Sequence, residues 1–151
     1  MQSAGWFLIA LLVVTTGAGW VWRARNGAMR DVKTGSDDPR LTSSDLGADL
    51  GARATLVQFS SAFCAPCRAA RVVLSDVART VDGVTHIEID AESHLDLVRR
   101  LDIMRTPTIF VLDARGRVVK RASGAPRKAE VLSALGAAIP AGSVGRDGVG
   151  A

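Results

Sequence analysis

The sequence predicts an α/β domain, a mixed sheet flanked by helices, carried behind an N-terminal transmembrane helix. Three observations predict it. Short apolar runs of strand length alternate with helical periodicity between Leu41 and Ile139. An uncharged, strongly apolar run opens the chain. Gly, Ser, Asp and Pro collect in the flanks, where there is little to bury. A length of 151 residues suits one domain with extra segments and is short for two. The expected division is a membrane anchor over 1–22, a polar linker over 23–40, the domain over 41–139 and a flexible tail over 140–151.

The opening run comes first. Met1 to Trp22 carries no charged side chain, and Trp6 to Val14 is its most apolar part. Gly5 to Trp22 is near the lower end of the roughly 17–25 residues that cross a hydrocarbon core. Trp6 stands at one end and Trp20 and Trp22 at the other, where indoles favour the interfaces. A cleaved signal peptide is the competing reading, but it calls for a basic leader and small residues at a cleavage site. Met1-Gln2-Ser3 is not basic, and two Trp and Arg23 follow the run. The expectation is an uncleaved single-pass anchor. Arg23, Arg25, Arg30 and Lys33 all follow it, so the positive-inside rule puts the domain in the cytoplasm. An extracytoplasmic domain is the alternative, since one short anchor gives one vote.

After the linker, a short ordered element is expected at Leu41 to Leu50. Ala54-Thr55-Leu56-Val57-Gln58-Phe59 reads as a strand. From Ala65 to Val81 a helix is expected to bury Ala69, Val72, Val73, Val77 and Val81. Thr85 to Asp90 alternates with period two, a second strand. Ser93 with Asp96 resembles a capping box for a short helix to about Leu101. Thr108 to Leu112 is a third strand, Asp113-Ala114-Arg115-Gly116 a turn, and Arg117 to Ser123 its hairpin partner. Pro126 suits the first turn of a last helix burying Val131, Leu132, Leu135 and Ile139. Strands separated by helices predict parallel pairing, with the final hairpin as an antiparallel edge.

There are 19 Lys and Arg against 15 Asp and Glu, a net charge of +4. No basic stripe with stacking aromatics and no recognition motif accompanies that excess, so a solvated surface is expected and no nucleic-acid partner. The only two cysteines are Cys64 and Cys67. A disulfide scaffold spreads more of them along the chain. A zinc site wants about four ligands, and His86 and His94 match no finger spacing. Two inert buried thiols are a further alternative.

The position of the pair favours chemistry. Cys64 falls at the start of a helix, where free N–H groups and the helix dipole favour a thiolate. Cys67 lies about one turn further on, close enough to close a disulfide and to displace a substrate from Cys64. Pro66 is tolerated because first-turn N–H groups have no intrahelical acceptor.

Over Leu41 to Ile139 the sequence resembles the thioredoxin-like family. The resemblance rests on Phe59-Ser60-Ser61-Ala62-Phe63-Cys64-Ala65-Pro66-Cys67, Ile87-Glu88-Ile89-Asp90, Thr106-Pro107-Thr108 and Gly124. It implies a thioredoxin-like fold and thiol–disulfide exchange, with Cys64 attacking and Cys67 resolving. It implies a cis Thr106–Pro107 bond facing the disulfide, and a substrate surface of Phe63, Ala65, Pro66, Thr106 and Pro107. No cofactor is implied. The expected partners are protein or small-molecule thiols and disulfides, with a separate electron donor.

The departures are specific. Phe63 stands where the family commonly has Trp, and Ala65 replaces the usual Gly. Thr106 replaces a more usual Ile. Gln58 occupies the position of the family's buried carboxylate and cannot act as a base. His86 occupies that of a nearby Lys and is a candidate for proton transfer to Cys67, against a merely structural histidine. Two further functions compete: a tethered adaptor without turnover, and a metal carrier using Cys64, Cys67 and a His.

Overall fold

The computed structural model describes residues 2–32 and 40–140. Lys33, residues 33–39 of the expected linker and the tail from 141 onward lie outside the described residues.

Helix α1 (Gln2–Arg25) is long and apolar enough to cross a membrane over Gly5–Arg23, and none of that window is buried against the rest of the chain. A signal sequence near the N-terminus can match it in length and apolar content. Within the stretch expected to be a plain linker, Arg30–Asp31 form a short strand, β1. The remaining elements are α2 (Ser43–Leu46), β2 (Ala54–Ser60), α3 (Ala65–Thr80), β3 (Val84–Asp90), α4 (Leu95–Arg100), β4 (Thr108–Asp113), β5 (Val118–Ser123) and α5 (Lys128–Ala138).

The five strands lie in the order β1-β5-β4-β2-β3. The β2–β3 pair is parallel, as expected, but β4 runs antiparallel to β2 and lies inside the sheet. The reason is length. Asp90 pairs with Ser60 and Thr108 with Phe59, so the connection through α4 begins and ends at one end of the sheet. A helix of 6 residues rises only about 9 Å. That is too short to return along a strand of 7 residues, which spans about 23 Å. Nor is the hairpin strand the edge, because β1 covers part of β5 through Arg30↔Arg121 and Asp31↔Lys120.

All seven residues of β2 are buried, as a central strand covered on both faces requires. One face carries Leu56, Ile109 and Val111 against Leu74, Val77 and Val131. The other carries Val57, Phe59, Phe110 and Leu112 with Leu97 and Leu101, Phe59 and Phe110 meeting edge to face at 5.8 Å. Truncating a fully buried residue such as Leu74 to Ala would cost about 2–5 kcal/mol.

The buried face of α3 differs from expectation. Cys67, Ala70, Leu74 and Val77 face the core, whereas Val72 is 69% exposed and Ala69 also faces solvent. Both sets have helical spacing, and the helix is rotated so that its second cysteine points inward. In α5 the buried residues are Val131, Ala134, Leu135 and Ala138, leaving Leu132 exposed and Ile139 half-buried. Small alanines, not the larger Leu132, fill the close approach to the sheet. Pro126 precedes the N-cap Arg127, whose N–H donates to Glu130 Oε2 at 3.0 Å. The capping box at Ser93 does not form: the N-cap of α4 is His94, and Ser93 Oγ donates to Asp90 Oδ2 instead. A capping box does form at Thr42 and Asp45, opening α2.

Candidate active site

The chain leaves β2 at Ser60, turns through Ser61-Ala62-Phe63 and enters α3 with Cys64 as N-cap, in an extended conformation (φ −92°, ψ 97°). Cys64 and Cys67 are joined by a disulfide, with their Cα atoms 5.2 Å apart. The backbone N–H of Cys67 points at Cys64 Sγ at 3.2 Å. When the bond is reduced, that donor faces the sulfur at the positive end of a helix of 16 residues, which lowers the energy of a Cys64 thiolate. Pro66 sits in the first turn, where its missing N–H leaves no intrahelical acceptor unpaired. Cys64 is half-buried and Cys67 is 2% exposed. An incoming sulfur therefore meets Cys64 first.

The rim is apolar. Phe63 is 99% exposed, and Ala65 and Pro66 also face solvent. The Thr106–Pro107 peptide bond is cis, with Pro107 buried and Thr106 half-buried. Thr106 Oγ1 lies 2.9 Å from Ser61 Oγ, which ties the proline loop to the turn that carries the cysteines. Pro107 O accepts from the N–H of Gly124 at 2.7 Å. Gly124 has φ +101°, and a Cβ there would lie 2.4 Å from Asn26 Oδ1. That leaves no room for a side chain between the proline loop and the exit of α1. Ser61 is part of the motif that carries the resemblance, but neither it nor Met104 is expected from the sequence as a site residue. Met104, just before the loop, is 84% exposed, and no local signal marks it, because the neighbouring Leu101 and Ile103 are equally apolar and are buried.

Beneath Cys67 lies a polar seam. Gln58, Ser60, His86 and Glu88 occupy alternate positions of β2 and β3 and so share the face that α3 covers. Gln58 is completely buried. Its Nε2 donates to Cys67 O at 2.9 Å and to Ser60 Oγ at 2.8 Å, with Glu88 Oε1 at 3.4 Å. Those acceptors fix the amide orientation. Gln58 Oε1 is then an acceptor for His86 Nε2, 3.2 Å away. His86 is accordingly the Nε2–H tautomer, and its bare Nδ1 accepts from Ser75 Oγ at 3.1 Å. Ser60 Oγ donates to Glu88 Oε1 at 2.6 Å, and Arg71 holds both Glu88 oxygens, Nε at 2.6 Å and Nη2 at 2.7 Å.

The seam also sets protonation. Burial holds the His86 pKa below the ordinary imidazole value, the Glu88 charge opposing and the Arg71 charge adding to that shift. Hydrogen bonding from Arg71, reinforced by Ser60 against some burial, holds Glu88 below the usual carboxylate range. At neutral pH His86 is neutral and Glu88 charged. His86 reaches Cys67 only through the Gln58 amide, which ends on the Cys67 carbonyl and not on its sulfur. Glu88, Arg71 and Ser60 were not singled out in the sequence, because each is a polar residue at a spacing that a solvent-facing position shares. Among the described residues, no three His, Cys, Asp or Glu side chains gather into a metal-binding cluster.

Comparisons with known proteins bear on the same residues. The Thioredoxin family profile matches residues 41–137. A thioredoxin of Mycobacterium tuberculosis is 32% identical over 87 residues, which cover 56% of this chain and 73% of that protein. A bifunctional thioredoxin reductase/thioredoxin of Mycobacterium leprae is 28% identical over 116 residues, 75% of this chain. The match spans only 25% of that longer protein. Among solved structures, chloroplastic thioredoxin z superposes with a TM-score of 0.51 at 26% identity, over 56% of this chain and 77% of that one.

Proposed function

The chain belongs to the thioredoxin family, and from that premise we propose that it is a thiol–disulfide oxidoreductase held at a membrane by α1. Cys64 is the attacking thiol and Cys67 the resolving one. The Cys64 thiolate attacks one sulfur of a target disulfide; that S–S bond breaks and the departing thiolate takes a proton. Cys67 then gives up its proton, attacks Cys64 Sγ and expels the second target thiol. Two electrons pass to the target, and the Cys64–Cys67 disulfide remains. A separate reductant returns it to the dithiol.

The observation that carries this reading is the Cys67 N–H directed at Cys64 Sγ within an N-capping disulfide, one sulfur accessible and the other buried. Phe63, Ala65, Pro66, Thr106 and Pro107 form the surface on which an extended target segment docks. His86 orders Gln58 and does not carry the proton. The support for an anchor over a cleaved leader is the Trp20, Trp22, Arg23 border, together with the entry of α1 into the domain at Gly27, whose N–H donates to Ser123 O at 2.8 Å. Arg23, Arg25 and Arg30 after the span support, by the positive-inside rule, a domain on the cytoplasmic side.

The test is reduction of a disulfide-containing protein such as insulin by the full chain in detergent, with dithiothreitol as electron source. Turnover well above dithiothreitol alone is expected. Binding of the target without turnover would replace this reading with that of an adaptor.

A further inference from the structure

At the exit of α1 the structure has a basic cavity of about 330 Å³, lined by Arg25, Arg30, Arg105, Arg121, Asp31 and Ser123 among others. Its charges are poorly matched. Asp31 is taken by Lys120. Arg121 spends its guanidinium on the carbonyls of Leu101 and Asp102 and lies over the Phe110 ring. Arg25, Arg30 and Arg105 have no acidic partner among the described residues. Arg30 and Arg121 are also direct cross-strand neighbours, a like-charge pairing that destabilises a sheet unless an anion lies between them.

We propose that this cavity holds the phosphate of an anionic phospholipid next to α1, an inference that rests on reading α1 as a membrane anchor. Guanidinium groups bind the two non-bridging oxygens of a phosphodiester in bidentate fashion. Place argues for a lipid over a free phosphate. Arg25 follows Trp22 by less than a turn of the same helix, about 4.5 Å along its axis. That puts the cavity at the headgroup level, just beyond the interfacial indoles. Basic residues on the cytoplasmic side meet the leaflet richer in anionic lipid. The site also lies at the catalytic end of the sheet. Ser123 pairs with Thr108, and Thr108 with Phe59, five residues before Cys64. Arg105 directly precedes the Thr106–Pro107 bond. A bound headgroup turns the disulfide end of the domain toward the bilayer.

The full chain, purified in an uncharged phosphate-free detergent, is titrated with short-chain phosphatidylglycerol and read by native mass spectrometry. One lipid should be retained saturably, and the corresponding diacylglycerol should not be. Arg30→Gln and Arg105→Gln should each weaken retention about tenfold, the loss of one good charge-assisted contact. Arg30→Lys should fall between wild type and Arg30→Gln, since an ammonium keeps the charge but not the bidentate contact, and Arg115→Gln, at the far hairpin, should keep all of it. Equal loss in Arg115→Gln means general charge attraction and overturns the site. Inorganic phosphate competing as well as the lipid overturns the lipid assignment, and no saturable binding overturns both. Salt extraction of cell membranes reads the anchor separately. A chain released by salt defeats the anchor reading, whereas a chain that stays embedded but retains no lipid defeats only this inference.

Discussion

At the rim of the active site Phe63 and Met104 stand in solvent without a packing partner, whereas on the inner side of the disulfide every side-chain nitrogen and oxygen of Gln58, His86 and Glu88 is engaged. The rim contributes nothing to the core and is free to serve recognition. The seam contributes to the core and meets Cys67 through the Gln58 amide, on the carbonyl of that residue. Two regions flanking one disulfide thus differ in kind, the outer one open to the target of the proposed exchange and the inner one fixing the surroundings of Cys67.

The largest effects should come from the two sulfurs that separate these regions. Cys64→Ser is expected to abolish both turnover and trapping of partners. Cys67→Ser should abolish turnover but accumulate mixed disulfides, seen as reducible bands on non-reducing gels. Trapping by the Cys64 variant alone would reverse the assignment of inner and outer thiol.

Next comes the seam itself. Gln58→Leu strips the acceptor from His86 Nε2–H and should cost about 1–3 kcal/mol for that group left unpaired, whereas the Cys67 carbonyl keeps its partner within α3. Phe63→Ala, at a fully exposed position, should leave the denaturation midpoint where it is. Equal destabilisation by the two would erase the distinction between seam and rim.

A smaller effect follows from pH. Burial lowers the folded pKa of His86, so below the ordinary imidazole value the unfolded chain binds more protons than the native one. Its contribution is complete above that value and declines as pH falls through it toward the folded pKa. Glu88, lowered first by the Arg71 hydrogen bond, contributes above the ordinary carboxylate value and loses that contribution as pH falls through its own folded pKa. Denaturant titrations across pH should show both windows, and His86→Gln should flatten only the upper one. A profile unchanged by that substitution would mean that His86 is not desolvated.

The smallest effect is expected at the rim. Phe63→Ala should raise KM for protein disulfides and leave reduction of a small aromatic disulfide unchanged, which steady-state kinetics would resolve. An equal change for both substrates would mean that Phe63 acts on the chemistry and not on docking.

Much of this was legible in the chain. The Cys64 and Cys67 spacing, the strand–helix junction before it and Thr106-Pro107 are local signals, and each turned up where the sequence put it. What was not legible depends on long-range registration. The seam joins Gln58 to Glu88 and His86 across a parallel pair and to Arg71 and Ser75 on a covering helix. Nothing local distinguishes such polar residues from solvated ones. The face of α3 was ambiguous because Ala69 and Val72 repeat as regularly as Ala70 and Leu74. The strand at Arg30–Asp31 is two charged, exposed residues that only the partner β5 makes a strand. The direction of β4 depended on where the α4 connection ends, which no periodicity encodes.

Replacing a carboxylate with Gln58 has an electrochemical consequence. Opening the Cys64–Cys67 bond takes two electrons, and two protons while both products are thiols. A buried acid next to the pair would exchange a further fraction of a proton and blur that count. Here the amide cannot titrate, and near neutrality His86 and Glu88 have already released their protons. The midpoint potential should therefore fall by about 59 mV per pH unit, twice the ~30 mV per decade of a two-electron couple. Once Cys64 leaves as a thiolate, only one proton enters and the slope halves. The pH at which the line bends reads the acidity of Cys64, and His86→Gln checks that the bend belongs to the sulfur.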